Sequence, residues 1–361
     1  MKRCFCGIGI VLLLQIAVVG CGIVRSVGKD PSGEELSRLD TLPNYKNGSF
    51  ENLAERADST VRHNLMFHRR PETARPSHSL PWVETDLKAL AAPAPTIVWF
   101  GHSSVLIKTG QGNILIDPIF SNHAGPVPGV ITAFPGTTHY HALDMPPIDV
   151  LIISHDHYDH LDYRTLKKLK DHIKMAVVPM GVGSDLIYWG FDPKNIIELN
   201  WNESAVLPGG LKITATPAQH RSNRTYGKEN KTLWASYVIQ AGNYRLFYSG
   251  DSGYGPHFKQ IGRQYGPFDL ALLECGQYSP NWPWTHLWFG QAAQAAVDLR
   301  ASLLQPIHWG KFVEAAQPWN EPIEKLIPAA EKLDIRVNVP RIGEPYTLGD
   351  PPRDSAWWGF K

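Results

Sequence analysis

The rhythm of apolar and polar positions changes at Thr96. In "TIVWFGHSSVLIKTGQGNILIDPIF", residues 96–120, β-rich apolar runs are broken by Gly-His and Gly-Gln-Gly, which predicts three strands joined by tight turns. "IDVLIIS", residues 148–154, is apolar almost throughout, as a strand covered on both faces should be. A helix follows, with Asp162 as its cap and with Leu166, Leu169 and Ile173 on one side. "KMAVVPM" reads as the next strand, and "SDLIYWGF" as a helix ended by Gly190. From Ile196 to Ser249 strands dominate, among them "LKITATPAQH", "LWASYVIQ" and "YRLFYSGD". Helix and strand patterns then alternate through "HFKQIGRQYG", "FDLALLECG", "GQAAQAAVDLRA", "LLQPIHWG" and "PIEKLIPAAEKL". Two blocks, each with strands first and helices later, are accommodated by two facing sheets with helices outside.

Before Thr96 the pattern is different. "KDPSGEE", "LPNYKNGS" and "RRPETARPSHSLP" interrupt any long period, so residues 21–95 read as a tether followed by an arm packed on the main domain of residues 96–361. Residues 1–20 carry Lys2, Arg3 and an apolar stretch from Gly7 to Val19, the form of an export signal. That stretch is too short to span a bilayer, which takes ~20 apolar residues. "VVGC" resembles the bacterial lipobox, in which Cys21 becomes the lipidated first residue of the mature chain. Gly22 rather than Asp after it points, by the same resemblance, to a lipid-anchored protein of the outer membrane in the bacterial cell envelope.

Composition narrows the classes. The chain of 361 residues is 43% hydrophobic and 19% charged, enough for one large core with an appendage. A net charge of +1 without a basic stripe argues against nucleic acid as a partner. Of the four cysteines, Cys4, Cys6 and Cys21 lie in the leader region, so the mature domain has no disulfide framework. Cys275 is expected to be a small buried hydrophobe.

The chemistry concentrates in "LIISHDHYDHLDY", residues 151–163. His155, His157, Asp159 and His160 follow one expected strand, His220 ends another, and Asp251 and His308 follow two more. The crevice beyond the carboxyl ends of strands is where separate segments converge in open α/β folds. Imidazoles suit zinc, and an aspartate can bridge two cations. The spacing predicts His155, His157 and His220 on one ion, Asp159, His160 and His308 on a second, and Asp251 between them. Two ions about 3.5–4 Å apart stabilise both the attacking and the leaving oxygen of a displacement, with no serine or cysteine nucleophile required.

"SHDHYDHLD" resembles the metal-binding signature of metallo-β-lactamase-fold hydrolases. "WFGHSSVLI", "LIDPIFS", "PPIDVLIISHDHYDHLD", "SGDSGYG" and "PIHWGKF" are similar to the branch that contains N-acyl-phosphatidylethanolamine-hydrolysing phospholipase D and its bacterial relatives, over Asn44 to Gly349. The resemblance implies an αββα sandwich and a hydrolase with two zinc ions, and it supports the same seven ligands. It also has departures. "ECGQY" stands where the family has a less charged "PIGAY"-like segment, "FGQAAQA" replaces an acidic "PEEA"-like helix start, and Thr285 replaces a glutamine.

Around the metals, His102 and Asp117 are candidates to hold the far side of a ligand, with a turn role as the alternative for Asp117. His286 is a candidate catalytic residue beside Asp159, placed to meet a phosphate or leaving oxygen, the alternative being a structural histidine. Trp282, Trp284, Trp288 and Phe289 are candidates for an apolar groove that takes acyl chains, or for core. Three functions fit: a phospholipase D-like phosphodiesterase on membrane lipids, a lactonase or carboxylic ester or amide hydrolase on a small molecule, and a non-catalytic metal-binding lipoprotein.

Overall fold

The computed structural model describes residues 22–54, 70–225, 228–280, 282–349 and 356–359; the export signal and Cys21 lie outside them. A short hairpin, β1 (Tyr45–Lys46) and β2 (Ser49–Phe50), precedes the main body. The first half supplies β3 (Thr96–Trp99), β4 (Val105–Thr109), β5 (Gly112–Ile116), β6 (Ile148–Ile152), β7 (Ile173–Pro179) and β8 (Ile196–Leu199). The second supplies β9 (Ser204–Val206), β10 (Lys212–Thr216), β11 (Ser236–Ala241), β12 (Tyr244–Tyr248), β13 (Leu270–Glu274) and β14 (Leu304–Ile307), and β15 (Pro345–Thr347) closes the chain. Among the described residues they form a sheet in the order β15-β3-β4-β5-β6-β7-β8 and another in the order β14-β13-β12-β11-β10-β9. This is the expected α/β sandwich.

Pairing follows from what joins the strands. Tight turns make β3, β4 and β5 antiparallel, and β9 to β12 are likewise antiparallel. Helices allow parallel pairing: Tyr163–Leu169 lies between β6 and β7, Gly183–Tyr188 between β7 and β8, His257–Tyr265 between β12 and β13, and Phe289–Leu299 between β13 and β14. The parallel strands β5, β6, β12, β13 and β14 therefore end at one edge, which is where the chemistry gathers. They are buried almost end to end, with Ile114, Leu151, Ile152, Phe247, Leu272 and Ile307 fully enclosed between the layers.

Two expectations shift. Ile173 is not on the helix but opens β7, because the helix stops at Leu169 and a 3₁₀ turn over Lys170–His172 brings the chain into the sheet. β15 was not foreseen; it adds to the free edge of β3, with Tyr346 opposite Ile97. The described part of residues 22–95 packs on the sandwich through Leu39, Tyr45, Phe50, Leu80 and Leu87, all buried. No helix among the described residues is long and apolar enough to cross a membrane.

Candidate metal centre

Beyond β6 the chain turns sharply and starts the helix at Tyr163. Asp162 caps it, accepting from the backbone N–H groups of Arg164 and Thr165, and that cap fixes the preceding turn. Within the turn, Leu161 and His160 donate their N–H groups to the carbonyl of His157, at 2.8 and 3.1 Å. The local fold therefore sends His155, His157, Asp159 and His160 into one crevice. His220 follows β10, and its Nδ1 lies 2.9 Å from the carbonyl oxygen of Thr285, which leaves Nε2 facing inward. Asp251 follows β12 after Gly250, whose φ of 55° and close approach to Ser154 leave no room for a Cβ.

His308 follows β14 with φ 66°, and His102 and Asp117 also sit in the left-handed region, with φ 53° and 40°. Such backbone persists only where the surroundings over-determine it. Here they do. The His102 and His308 segments exchange hydrogen bonds, His102 N to Trp309 O at 2.8 Å and His308 N to His102 O at 2.9 Å. Trp99 stacks on Trp309 at 5.4 Å and donates to the His102 carbonyl. Gly276 leaves space for the His308 ring, since a Cβ there would meet its Nδ1 at 2.6 Å.

Among the described residues three groups of converging donors result, the smallest being Asp251, His286 and His308. Of the two larger, His155, His157, His220 and Asp251 form one, and His102, Asp159, His160 and His308 the other. In the first, His157 Nδ1 lies 2.9 Å from His155 Nε2 and 3.2 Å from His220 Nε2. Asp251 spans the two larger groups: Oδ2 is 3.8 Å from His155, 3.7 Å from His220 and 3.0 Å from His308, while Oδ1 is 3.2 Å from His160. The Nε2 atoms of His160 and His308 and Oδ1 of Asp251 are buried without a hydrogen bond. Buried polar atoms left so are rare, and inward-facing nitrogens beside carboxylates fit cations.

The electrostatics agree. Burial holds His155 and His220 well below the ordinary histidine range and His157 at about 3, so these rings are neutral and able to bind metal. Burial also acts to lower His160 and His308, but the Asp251 and Asp159 carboxylates outweigh it and raise both well above that range. Asp159 and Asp251 are held well below the carboxylate range against their own burial, chiefly by His160. The two carboxylates attract positive charge into this space, which is the demand that bound cations satisfy.

The supporting contacts are partly as expected. Asp117 does hold the far side of a candidate ligand, with Oδ2 2.8 Å from His160 Nδ1, and it accepts from the hydroxyls of Ser154 and Tyr248. His102 instead meets a carboxylate, its Nε2 lying 2.8 Å from Asp159 Oδ2. His286 lines the cleft of about 190 Å³ formed with His157, Asp159, Asp251, His308 and Trp282. Its partner Glu274, with Nδ1 to Oε1 at 2.5 Å, was not singled out, although "ECGQY" marked its position. Ser154, Arg221, Gln277 and Glu314 were missed too, since a lone polar residue in sequence carries no sign of which crevice it joins. Burial, followed by the Asp159 charge, pushes Glu314 up to about 7.

The apolar surface lies elsewhere than expected. Trp288 stacks on Tyr278 at 4.9 Å, Trp284 is exposed, and of Trp282, Trp284, Trp288 and Phe289 only Trp282 lines the cleft. A cavity of about 350 Å³ is instead walled by Ala124, Pro126, Val127, Val130 and Ile131, and it opens beside His157 and Asp159. Cys275 is buried and its thiol is pushed far up by burial, which removes it as a nucleophile.

Residues 112–309 match the family described as the beta-lactamase superfamily domain. An uncharacterized protein of Mycobacterium tuberculosis is 37% identical over 328 residues, 88% of this chain and 87% of that protein. N-acyl-phosphatidylethanolamine-hydrolyzing phospholipase D 1 of Caenorhabditis elegans is 33% identical over 256 residues, 66% of this chain and 69% of that one. A solved metallo hydrolase from Ignicoccus hospitalis superposes with a TM-score of 0.53 at 26% identity, over 70% of this chain and 98% of its own.

Proposed function

We propose, from the premise that this chain belongs to the beta-lactamase superfamily and is a metal-dependent hydrolase, that it cleaves phosphodiester bonds of membrane-derived amphiphiles at a two-zinc centre. His155, His157 and His220 would hold the first ion and Asp159, His160 and His308 the second, with Asp251 close enough to both sets to serve each. When bound, such ions activate a coordinated water and polarise the scissile group. The chain's own residues do the rest. Asp117 and the Thr285 carbonyl fix the ring orientations of His160 and His220. His286, backed by Glu274, faces the same cleft and is placed to donate a proton to the leaving oxygen.

The observation that carries the reading is the apolar cavity opening beside His157 and Asp159. A long chain finds cover there while its polar group meets the donors, an arrangement that suits an amphiphile. The Caenorhabditis relative, by its name, hydrolyses N-acyl-phosphatidylethanolamine, which supports a phosphodiester. A lactonase or carboxylic ester or amide hydrolase remains the second reading, because the same donor set serves acyl transfer. The non-catalytic reading is set aside by membership of a hydrolase family.

A panel of N-acyl-phosphatidylethanolamine, a bis-aryl phosphodiester and a lactone decides between the readings. Turnover of the two phosphodiesters over the lactone is expected, and lactone turnover alone overturns the proposal. We further propose that Cys21 is lipidated and anchors the protein to the outer membrane, a reading that rests on the "VVGC" pattern. Cys21→Ser should then release the protein from the membrane fraction.

A further inference from the structure

The turn that presents His155, His157 and Asp159 is held from behind by residues far away in sequence. Between those donors stand Asp156 and Tyr158, whose side chains bind a different loop. Asp156 accepts from the Asn223 N–H and the Thr232 hydroxyl, at 3.2 and 2.9 Å, and the Tyr158 hydroxyl donates to the Arg224 carbonyl at 3.0 Å. Arg224 closes the contact. Its guanidinium lies 4.3 Å from the centre of the Tyr158 ring and 5.0 Å from that of Trp189, and its Nη1 donates to the Asp156 carbonyl at 2.7 Å. Tyr158 also lines the apolar cavity, so the same arginine supports a wall of that space.

The other arm of the guanidinium meets the N-terminal segment, where Nη2 donates to the Ser26 carbonyl at 2.6 Å. Further contacts seat this segment. Trp189 Nε1 donates to the Arg25 carbonyl at 2.8 Å, and the Lys29 N–H donates to Asp185 Oδ1 at 2.8 Å. Asp30 accepts from the Thr225 hydroxyl and from the Lys228 ammonium, both at 2.7 Å. Gly28 permits the close approach, since its φ is 84° and a Cβ there would meet Asp185 Oδ1 at 1.8 Å. Asp156, Asp185, Trp189 and Arg224 are all buried, and buried polar groups depend on their partners because losing one is costly. Lifting residues 25–30 off the body would open Asp185, Trp189 and Arg224 to water and free the outer side of the turn. A turn held on one side only lets its imidazoles drift, and the contacts that orient metal ligands carry 10–100-fold in metal affinity.

We propose that residues 25–30 are a positioning element of the metal centre, acting through Arg224 as a clamp on the turn of residues 155–159. The segment that begins just after Cys21 thereby completes the catalytic unit. The inference rests on the reading that this turn binds metal.

The test uses the full-length protein loaded with cobalt(II). Gly28→Val leaves every buried charge in place and displaces the segment from outside, because a branched side chain does not adopt that φ. Arg224→Ala removes the clamp itself, and added guanidinium ion offers a replacement. Both variants should bind cobalt about 10–100-fold more weakly by chelator competition, with a changed visible spectrum, and kcat should fall more than KM rises. Guanidinium should restore part of the affinity in Arg224→Ala and none in Gly28→Val. In metal-free protein, hydrogen exchange across residues 151–163 should quicken about tenfold in Gly28→Val while that of β11 is unchanged. Wild-type affinity, spectrum and exchange in Gly28→Val overturn the proposal, as does a variant that only unfolds at lower temperature. Where Arg224→Ala fails to fold, Gly28→Val decides alone. If the wild type holds no cobalt, the metal reading fails, while exchange in the turn still decides whether the segment positions it.

Discussion

Nδ1 of His286 lies 2.5 Å from Oε1 of Glu274, a carboxylate buried at the end of β13. The other oxygen, Oε2, accepts from the N–H of Ser252, so the acid is held in place and aims the ring. Burial acts to lower His286, yet the Glu274 charge outweighs it and raises it above the ordinary range. The Glu274 charge thus favours the protonated ring, the form that can donate to a leaving oxygen.

Glu274→Gln keeps the shape and removes the charge. Turnover of a bis-aryl phosphodiester should fall roughly ten- to a hundredfold, with the larger loss for poorer leaving groups and with metal content intact. An unchanged rate on an alkyl leaving group would remove His286 from proton transfer.

Metal loading gives a separate check on the two larger donor groups. Purified protein should hold close to two ions, and His157→Ala should lose at least one together with activity. Asp117→Asn should weaken metal binding by about 10–100-fold, because the His160 ring loses its orienting carboxylate. Wild-type affinity in both variants would show that these groups do not bind the ions.

Chain length reports on the apolar cavity. Val130 lines it and is 54% exposed, so Val130→Asp places a charge at its rim with little cost to folding. The KM for a long-chain phosphodiester should rise about tenfold, while a short soluble one is affected little, since each buried CH₂ contributes about 0.8 kcal/mol. A parallel change on both substrates would move the chain-binding surface away from the 124–131 loop.

Much of the fold was legible because periodicity and punctuation agree. The run "IDVLIIS" is apolar because helices and the second sheet cover both its faces, and Asp162 caps the next helix with its own side chain. The clustering of His155, His157, Asp159 and His160 was legible because one turn presents all four. His220, Asp251 and His308 were legible through their shared place after strands. Contacts that depend on the facing of two distant loops were not. Glu274 reaches His286 across twelve residues, and Gln277 reaches Glu314 across thirty-seven. The apolar cavity escaped for the same reason: Val127, Val130 and Ile131 have no strand or helix period, and only the folded loop sets them against His157. Of the aromatic residues offered for a groove, Trp288 stacks on Tyr278 and Trp282 alone lines the cleft, a division that depends on how the loop folds.

A last prediction concerns stability rather than turnover. His257 begins the helix before β13, is buried, and lies with Nε2 3.1 Å from Ser252 Oγ. Burial lowers its pKa from 6.5 to about 4. Because the folded value is depressed, the unfolded chain takes up a proton at higher pH than the folded one does. The stability due to neutral His257 is therefore complete above about pH 6.5 and is lost as pH falls toward 4. At 1.36 kcal/mol per unit, the loss across that window is on the order of 3 kcal/mol. Other histidines also titrate there, so the informative quantity is a difference between variants. His257→Gln keeps a polar side chain that does not titrate, and its unfolding free energy should decline less between pH 7 and pH 4.5 than that of the wild type, by about 2–3 kcal/mol in denaturant titrations of metal-loaded protein. Parallel pH profiles for the two proteins would mean that His257 accepts its proton in the folded state as readily as in the unfolded chain.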